Sequence, residues 1–136
     1  MELILQGWLG LDADSEIGIF KTKRRKACDY ESISELIMDH FNYEQTDEGL
    51  GTKKTFIPNA NLKCWFSDTR CTLEEAMMDF ESYLATGDLL TKGHYTGYSE
   101  WTITGFEVDC LTIGGHDLRQ ELKQHDGQYM HMILSD

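Results

Sequence analysis

"HYTGYSEWTITGFEVDCLTIGGHDLRQELKQHDGQYMHMIL", His94 to Leu134, is the stretch whose reading decides the architecture of this chain. Its apolar residues alternate as in half-buried strands, but the phase of the alternation changes twice. Trp101 and Ile103 share one phase, Phe106, Val108 and Cys110 take the other, and Leu111 and Ile113 return to the first. A strand that switches its buried face needs a bulge or a turn, and Gly105 is where either would sit. Two short strands and one long bent strand both satisfy the pattern. Thr104-Gly105 is poor material for a two-residue hairpin, which favours the bent strand. Gly114-Gly115 then interrupts the sheet. "HDLRQELKQHDG" follows as a short helix, capped by Asp117 with Gln120 three residues on, burying Leu118 and Leu122 and stopped at Gly127. "QYMHMILS" closes as a strand.

The same mixture of short strands and helices continues toward the N-terminus. "ELILQGWL" and "EIGIFKT", joined by "GLDAD", read as a hairpin, with Leu3, Leu5 and Trp8 in the first strand and Ile17 and Ile19 opposite Phe20 in the second. "SISELIMDHF" reads as a helix: Ser32 is the N-cap, Glu35 completes a capping box, and Ile33, Leu36, Ile37, His40 and Phe41 recur at helical spacing. Residues 42–55 read as a flexible loop with two glycines and few anchors. "TFI" and "NLKCWFS", separated by "PNAN", read as a second strand pair turned at Pro58. "TLEEAMMDFESYLATGD" is the strongest helix, capped by Thr72 with Glu75, with a buried stripe of Leu73, Ala76, Met77, Phe80 and Leu84, Met78 facing outward, and Gly87 at its end. The sum is an α+β fold: one domain over 1–136, with a mixed or mainly antiparallel sheet and about three helices packed on it. A chain of 136 residues buries roughly two thirds of its unfolded surface, enough for a core without staples.

Composition narrows the function classes. The 24 acidic residues outnumber the 12 basic ones, for a net charge of -12. Such a surface repels anionic lipid and naked nucleic acid and attracts basic partners. No apolar run reaches the roughly 18 residues of a membrane span, and "MELILQGWLGLDADSE" lacks the basic start of a signal peptide, so a cytoplasmic protein is expected. The cysteines at 28, 64, 71 and 110 then read as reduced thiols. Cys64 and Cys71 are too far apart for a close zinc pair and no second pair exists, so no metal is expected, nor any cofactor. Five of the 12 basic residues fall between Lys21 and Lys26. That run suits a hairpin tip at an acidic neighbour, such as a second copy of the chain, or at nucleic acid. Without aromatic and basic residues sharing one sheet face, direct nucleic-acid binding is not expected.

Two kinds of site compete. His116 follows two glycines at the mouth of a helix, where free N–H groups could hold an anion, and Asp117 stands beside it. With His94 or His131 nearby, and Asp109 or Asp117 orienting one of them, His116 would serve as a general base in a small hydrolase-like enzyme. Against this, "GGHD" has no motif specificity, and His131 alternates with Tyr129 and Ile133 like a packed strand residue. "DADSE", Asp12 to Glu16, offers alternate acids, but Ile17 and Lys23 stand where a calcium loop wants Gly and Glu. The other kind of site is a protein-binding surface. Glu31, Glu35 and Asp39 form an i, i+4, i+8 row rising about 6 Å per step, comparable to the phosphate spacing of a nucleic-acid strand. Glu74, Glu81 and Asp88 form a wider row around Met78. These features favour a non-enzymatic protein-binding or regulatory domain with a basic protein partner, or a nucleic-acid mimic that occupies a Lys/Arg channel.

Overall fold

The phase change at Gly105 is accommodated inside one long strand. The computed structural model describes residues 2–42, 56–86, 97–108, 110–113 and 116–135. In it β5, Gly97–Glu107, runs unbroken against β4, Phe56–Ser67. Their register is constant from Phe66↔Gly97 to Phe56↔Glu107, so neither strand carries an extra residue. Both strands switch faces at the same place instead. The cross-strand pairs Ile57–Phe106 and Ala60–Ile103 are three residues apart, yet all four side chains are buried in the same core. Three steps along a regular strand reverse the face, so Pro58-Asn59 and Thr104-Gly105 absorb the switch between them. Gly105 has φ 77°, a conformation that costs glycine nothing and strains other residues.

The expected turn at Pro58 is therefore corrected: β4 passes straight through it. The neighbouring strand β8, Tyr129–Ser135, pairs with β4 only from Asn61 to Ser67. Pro58 lies on the part of β4 that is an edge with respect to β8, which is where a sheet tolerates proline.

The remaining strands are β1, Glu2–Leu11, β2, Ile17–Phe20, β3, Glu31–Ser32, β6, Thr112–Ile113, and β7, His116–Asp117. The sheet order is β3-β2-β1-β8-β4-β5-β6-β7, and every described pairing is antiparallel. The last strand thus inserts at the centre, with Met132 opposite both Leu5 and Cys64. The helices are α1, Ile33–Asn42, α2, Leu73–Thr86, and α3, Leu118–Lys123. This is an α+β fold in a single small domain.

Alternation along the strands separates two layers. Leu5, Leu9, Ile17, Leu62, Phe66, Met130 and Met132 pack on one face with Ile33 and Ile37 of α1 and with Leu118 and Leu122 of α3. The opposite face carries an aromatic cluster of Trp8, Phe20 and Tyr129 with Tyr30, and a second cluster of Trp65, Cys71 and Ala76 with Leu73, Phe80, Tyr98 and Ile133 under α2. Cys64 and Cys71 fall on opposite faces, and all four cysteines are free.

Local chemistry sets the helix starts. At α2 the Glu75 N–H donates to Thr72 Oγ1 and the Thr72 N–H to Glu75 Oε1, both at 3.1 Å, a reciprocal capping box. Cys71 and Ala76, just outside and one turn inside the cap, share a hydrophobic cluster and staple the entry. The α2 stripe needs one correction. Leu73, Ala76 and Phe80 meet the sheet, but Met77 and Leu84 are exposed (36% and 68%), and Asp79 is buried instead. The buried arc is rotated toward Asp79, which no apolar pattern would place inside. At α3, Asp117 Oδ1 accepts the Arg119 N–H at 3.0 Å, and Gly127 has φ 85° beyond the helix.

Two residues of the basic run find partners within the chain: Arg25 bonds Asp126 at 2.8 Å, and Lys23 Nζ lies 5.6 Å from the Trp8 ring centroid. Among the described residues no helix is long and apolar enough to cross a membrane. Asn42, expected to open a loop at 42–55, is the last residue of α1, while the rest of that loop, Gly87 and Gly114-Gly115 lie outside the described residues, as does the side chain of Phe41.

Candidate functional site

The β1–β2 turn builds one wall of an acidic groove. Asp12 Oδ1 accepts the N–H groups of Asp14 and Glu16, each at 2.9 Å, and Ser15 takes φ 63°. This side-chain-stapled turn presents Glu16 toward the start of α1. There Glu16 Oε1 accepts from the buried Ser32 hydroxyl at 2.9 Å and from Ser34 at 3.3 Å. Ser32 Oγ also accepts the Glu35 N–H at 3.4 Å, so one hydroxyl both caps α1 and ties it to the turn. Tyr30 closes the end of the groove, its hydroxyl donating to the Glu16 carbonyl at 2.9 Å. Burial, and then the charges of Asp12 and Glu16, push the Tyr30 pKa well above the ordinary phenol value, so it remains a donor.

The resulting cavity is about 300 Å3, lined by Asp12, Glu16, Glu31, Glu35 and Asp39 with Tyr30, Ser32 and Leu36. No Lys or Arg among the described residues lines it. The hydrogen bonds described for the Glu16 carboxylate all go to Oε1. Glu16 also borders a second cavity, of about 250 Å3, that includes Arg119. That guanidinium is held by Asp117 through Nε at 3.0 Å and Nη2 at 3.2 Å.

Glu31, Glu35 and Asp39 thus meet in one groove, though not as a single helical row. α1 begins at Ile33, and Glu31 comes from strand β3. Asp12 and Glu16 join them, although the sequence alone assigns neither a binding role. Their signal was present in "DADSE", whose alternate acids invite only a calcium reading. Among the described residues no group of three or more His, Cys, Asp or Glu is placed to hold a metal ion.

Glu74, Met78 and Glu81 lie on α2, across the sheet from the groove. Asp88 lies outside the described residues.

The described imidazoles, those of His40, His125 and His131, sit in separate parts of the fold. The backbone of His116 pairs with Ile113 in β7, while its side chain, His94 and Asp109 lie outside the described residues. Asp117 caps α3 and binds Arg119, whose hydrogen bond is the main cause of a lowered carboxyl pKa. His125 stacks on Phe66, with ring centroids 3.6 Å apart, and bonds Gln128 at 2.7 Å.

His131 is fully buried in the central strand on the α2 face. Its Nε2–H donates to the Cys71 carbonyl at 2.8 Å, which fixes the tautomer and leaves Nδ1 as a buried acceptor with no hydrogen-bond partner. Cys71 Sγ lies 3.8 Å from the same nitrogen. This is not the arrangement of an activated thiol. Nε2 already carries its proton, burial raises the Cys71 pKa, and burial lowers that of His131 despite the carbonyl bond. The contact ties the N-terminus of α2 to the sheet.

A pH dependence follows from its sign. The unfolded chain takes up a proton at His131 near the ordinary histidine pKa of about 6.5, whereas the folded chain resists doing so. Stability from this group is therefore complete above about pH 6.5 and declines as pH falls toward the lowered folded value. Urea unfolding at pH 7.5 and pH 5.5 is expected to show a loss for the wild type that is smaller in His131→Gln. An equal loss in both proteins would exclude His131 as its source.

No protein-family model, curated protein or solved structure matches the chain.

Proposed function

We propose that the chain is an acidic protein-binding domain with a regulatory role, and that the groove between the β1–β2 turn and α1 receives Lys or Arg side chains of a basic partner protein. The observation that supports this most is the gathering of five carboxylates around one concavity with no Lys or Arg among its described lining residues. A cleft lined by one sign of charge focuses its field and raises the local concentration of the opposite charge. A carboxylate suits the two-pronged geometry of a guanidinium, and Glu16 lines this cavity with its described hydrogen bonds made through Oε1. The four free cysteines support a reducing, cytoplasmic setting. Mimicry of nucleic acid is the weaker reading, because it needs a continuous negative strip. Here the α1 and α2 acids stand on opposite faces of the sheet.

The test is affinity capture from nuclease-treated lysate with the wild type and with a Glu31→Gln/Glu35→Gln/Asp39→Asn variant. A basic partner is expected to bind the wild type, to be released as salt is raised, and to lose at least about tenfold in affinity for the variant. Equal binding of that partner to both proteins would contradict the proposal.

A further inference from the structure

The outward face of α2 carries a pattern that neither the fold nor the groove uses. Helix α2, LEEAMMDFESYLAT, contains no Lys or Arg. Met77, Met78 and Leu84 are exposed at 36%, 56% and 68%, and Glu74, Glu81 and Ala85 are exposed with them. At about 100° per residue, Glu74 and Glu81 lie nearly in line along the helix, about 10 Å apart. Met77 and Leu84 run along one side of that line, and Met78 and Ala85 along the other. Two apolar rows with a seven-residue repeat and an acidic line between them thus lie opposite the arc that Ala76 and Phe80 bury against the sheet.

We propose that this face docks an amphipathic helix of a partner protein, one whose apolar stripe is flanked by Lys or Arg. A helix laid alongside α2 would place apolar residues at i, i+3/i+4 and i+7 against the two rows. Unbranched methionine adapts to such a stripe better than a branched side chain does. The acidic line selects the occupant by charge. A second copy of this face would bring Glu74 and Glu81 against their own kind, and an anionic membrane would be repelled by the same carboxylates. A basic helix relieves the charge and covers the apolar rows together. The face lies across the sheet from the groove, so this proposal stands apart from the groove reading.

The probe is a synthetic amphipathic peptide of Leu and Lys, 14 residues long to match the length of α2. It is titrated against the whole chain by fluorescence anisotropy, beside a scrambled peptide of the same composition. Glu74→Lys/Glu81→Lys and Met78→Ser/Leu84→Ser are each expected to weaken binding at least about tenfold, with the helical circular dichroism of the protein retained. Glu2→Gln/Glu107→Gln, which removes exposed acids outside both α2 and the groove, is expected to leave binding within about twofold. The scrambled peptide is expected to bind at least about tenfold more weakly. Equal binding of the scrambled peptide would reduce the interaction to net charge and overturn the proposal. So would no binding at millimolar peptide, sensitivity to the Glu2→Gln/Glu107→Gln variant but not to the α2 variants, or wild-type self-association that Leu84→Ser abolishes.

Discussion

Phe106→Ala is expected to remove about 3–5 kcal/mol of stability, the largest effect of any single truncation considered for this fold. Phe106 is fully buried, pairs with Ile57 across the β4–β5 ribbon and with Ile113 on β6, and sits on the far side of the Gly105 face switch. Its ring is what the switch brings into the core: without the reversal of phase, an even-numbered residue of β5 would face away from Ile103. Urea unfolding measures the loss as a lowered midpoint at unchanged slope. A loss below about 1 kcal/mol would mean that β5 does not reverse its buried face at Gly105.

The second large effect is expected from Gly18→Ala. Gly10 and Gly18 are direct partners in the β1–β2 pair, and both are tightly covered, but by different things. A methyl group on Gly10 would meet the Phe20 ring at 2.7 Å and the Arg25 side chain at 3.1 Å. On Gly18 it would overlap the Tyr30 ring and come within 2.5 Å of the Glu31 carbonyl oxygen, a backbone atom that cannot rotate away. Overpacking of this kind costs about 1–3 kcal/mol, with Gly18→Ala at the upper end and Gly10→Ala below it. Displacing Tyr30 would also break its hydrogen bond to the Glu16 carbonyl, so Gly18→Ala should disturb the groove as well as the fold. Paired urea titrations of the two variants test the order. A smaller loss for Gly18→Ala than for Gly10→Ala would contradict the close approach of Tyr30.

The features that were legible in the sequence are those decided within a few residues. Thr72 with Glu75 is a cap set by local hydrogen bonding, Asp117 is the expected cap of α3 although its carboxylate takes the Arg119 N–H and not a bond with Gln120, and the hairpin around "GLDAD" is set by turn chemistry. The misreadings came where a distant strand decides. Pro58 marks a turn in isolation, but whether a strand can pass through it depends on where β8 stops, seventy residues later. Gly105 was located correctly as the place of the phase change, yet a bulge was one of the two remedies expected. Only the matching switch at Pro58-Asn59 on the partner strand lets the register survive without one.

The same division holds for the site. The spacing of Glu31, Glu35 and Asp39 was visible, but the pairing of β3 with β2 takes Glu31 out of the helix and turns a row into one side of a groove. Glu16 belongs to the other side through Ser32 and Ser34, contacts 16 and 18 residues away along the chain that no local pattern displays. Hydrophobicity also misplaced the buried arc of α2, because it gives no reason to turn Asp79 inward and Leu84 outward.

The groove between the β1–β2 turn and α1 is proposed to bind basic side chains. Its most direct test is a 15N NMR titration of the chain with a short arginine-rich peptide at physiological salt, where weak surface attraction is screened. Saturable shifts are expected to concentrate at Ser15-Glu16, Tyr30–Glu35 and Asp39, and to be lost in the Glu31→Gln/Glu35→Gln/Asp39→Asn variant. Shifts scattered over the acidic surface, or retained in that variant, would contradict it.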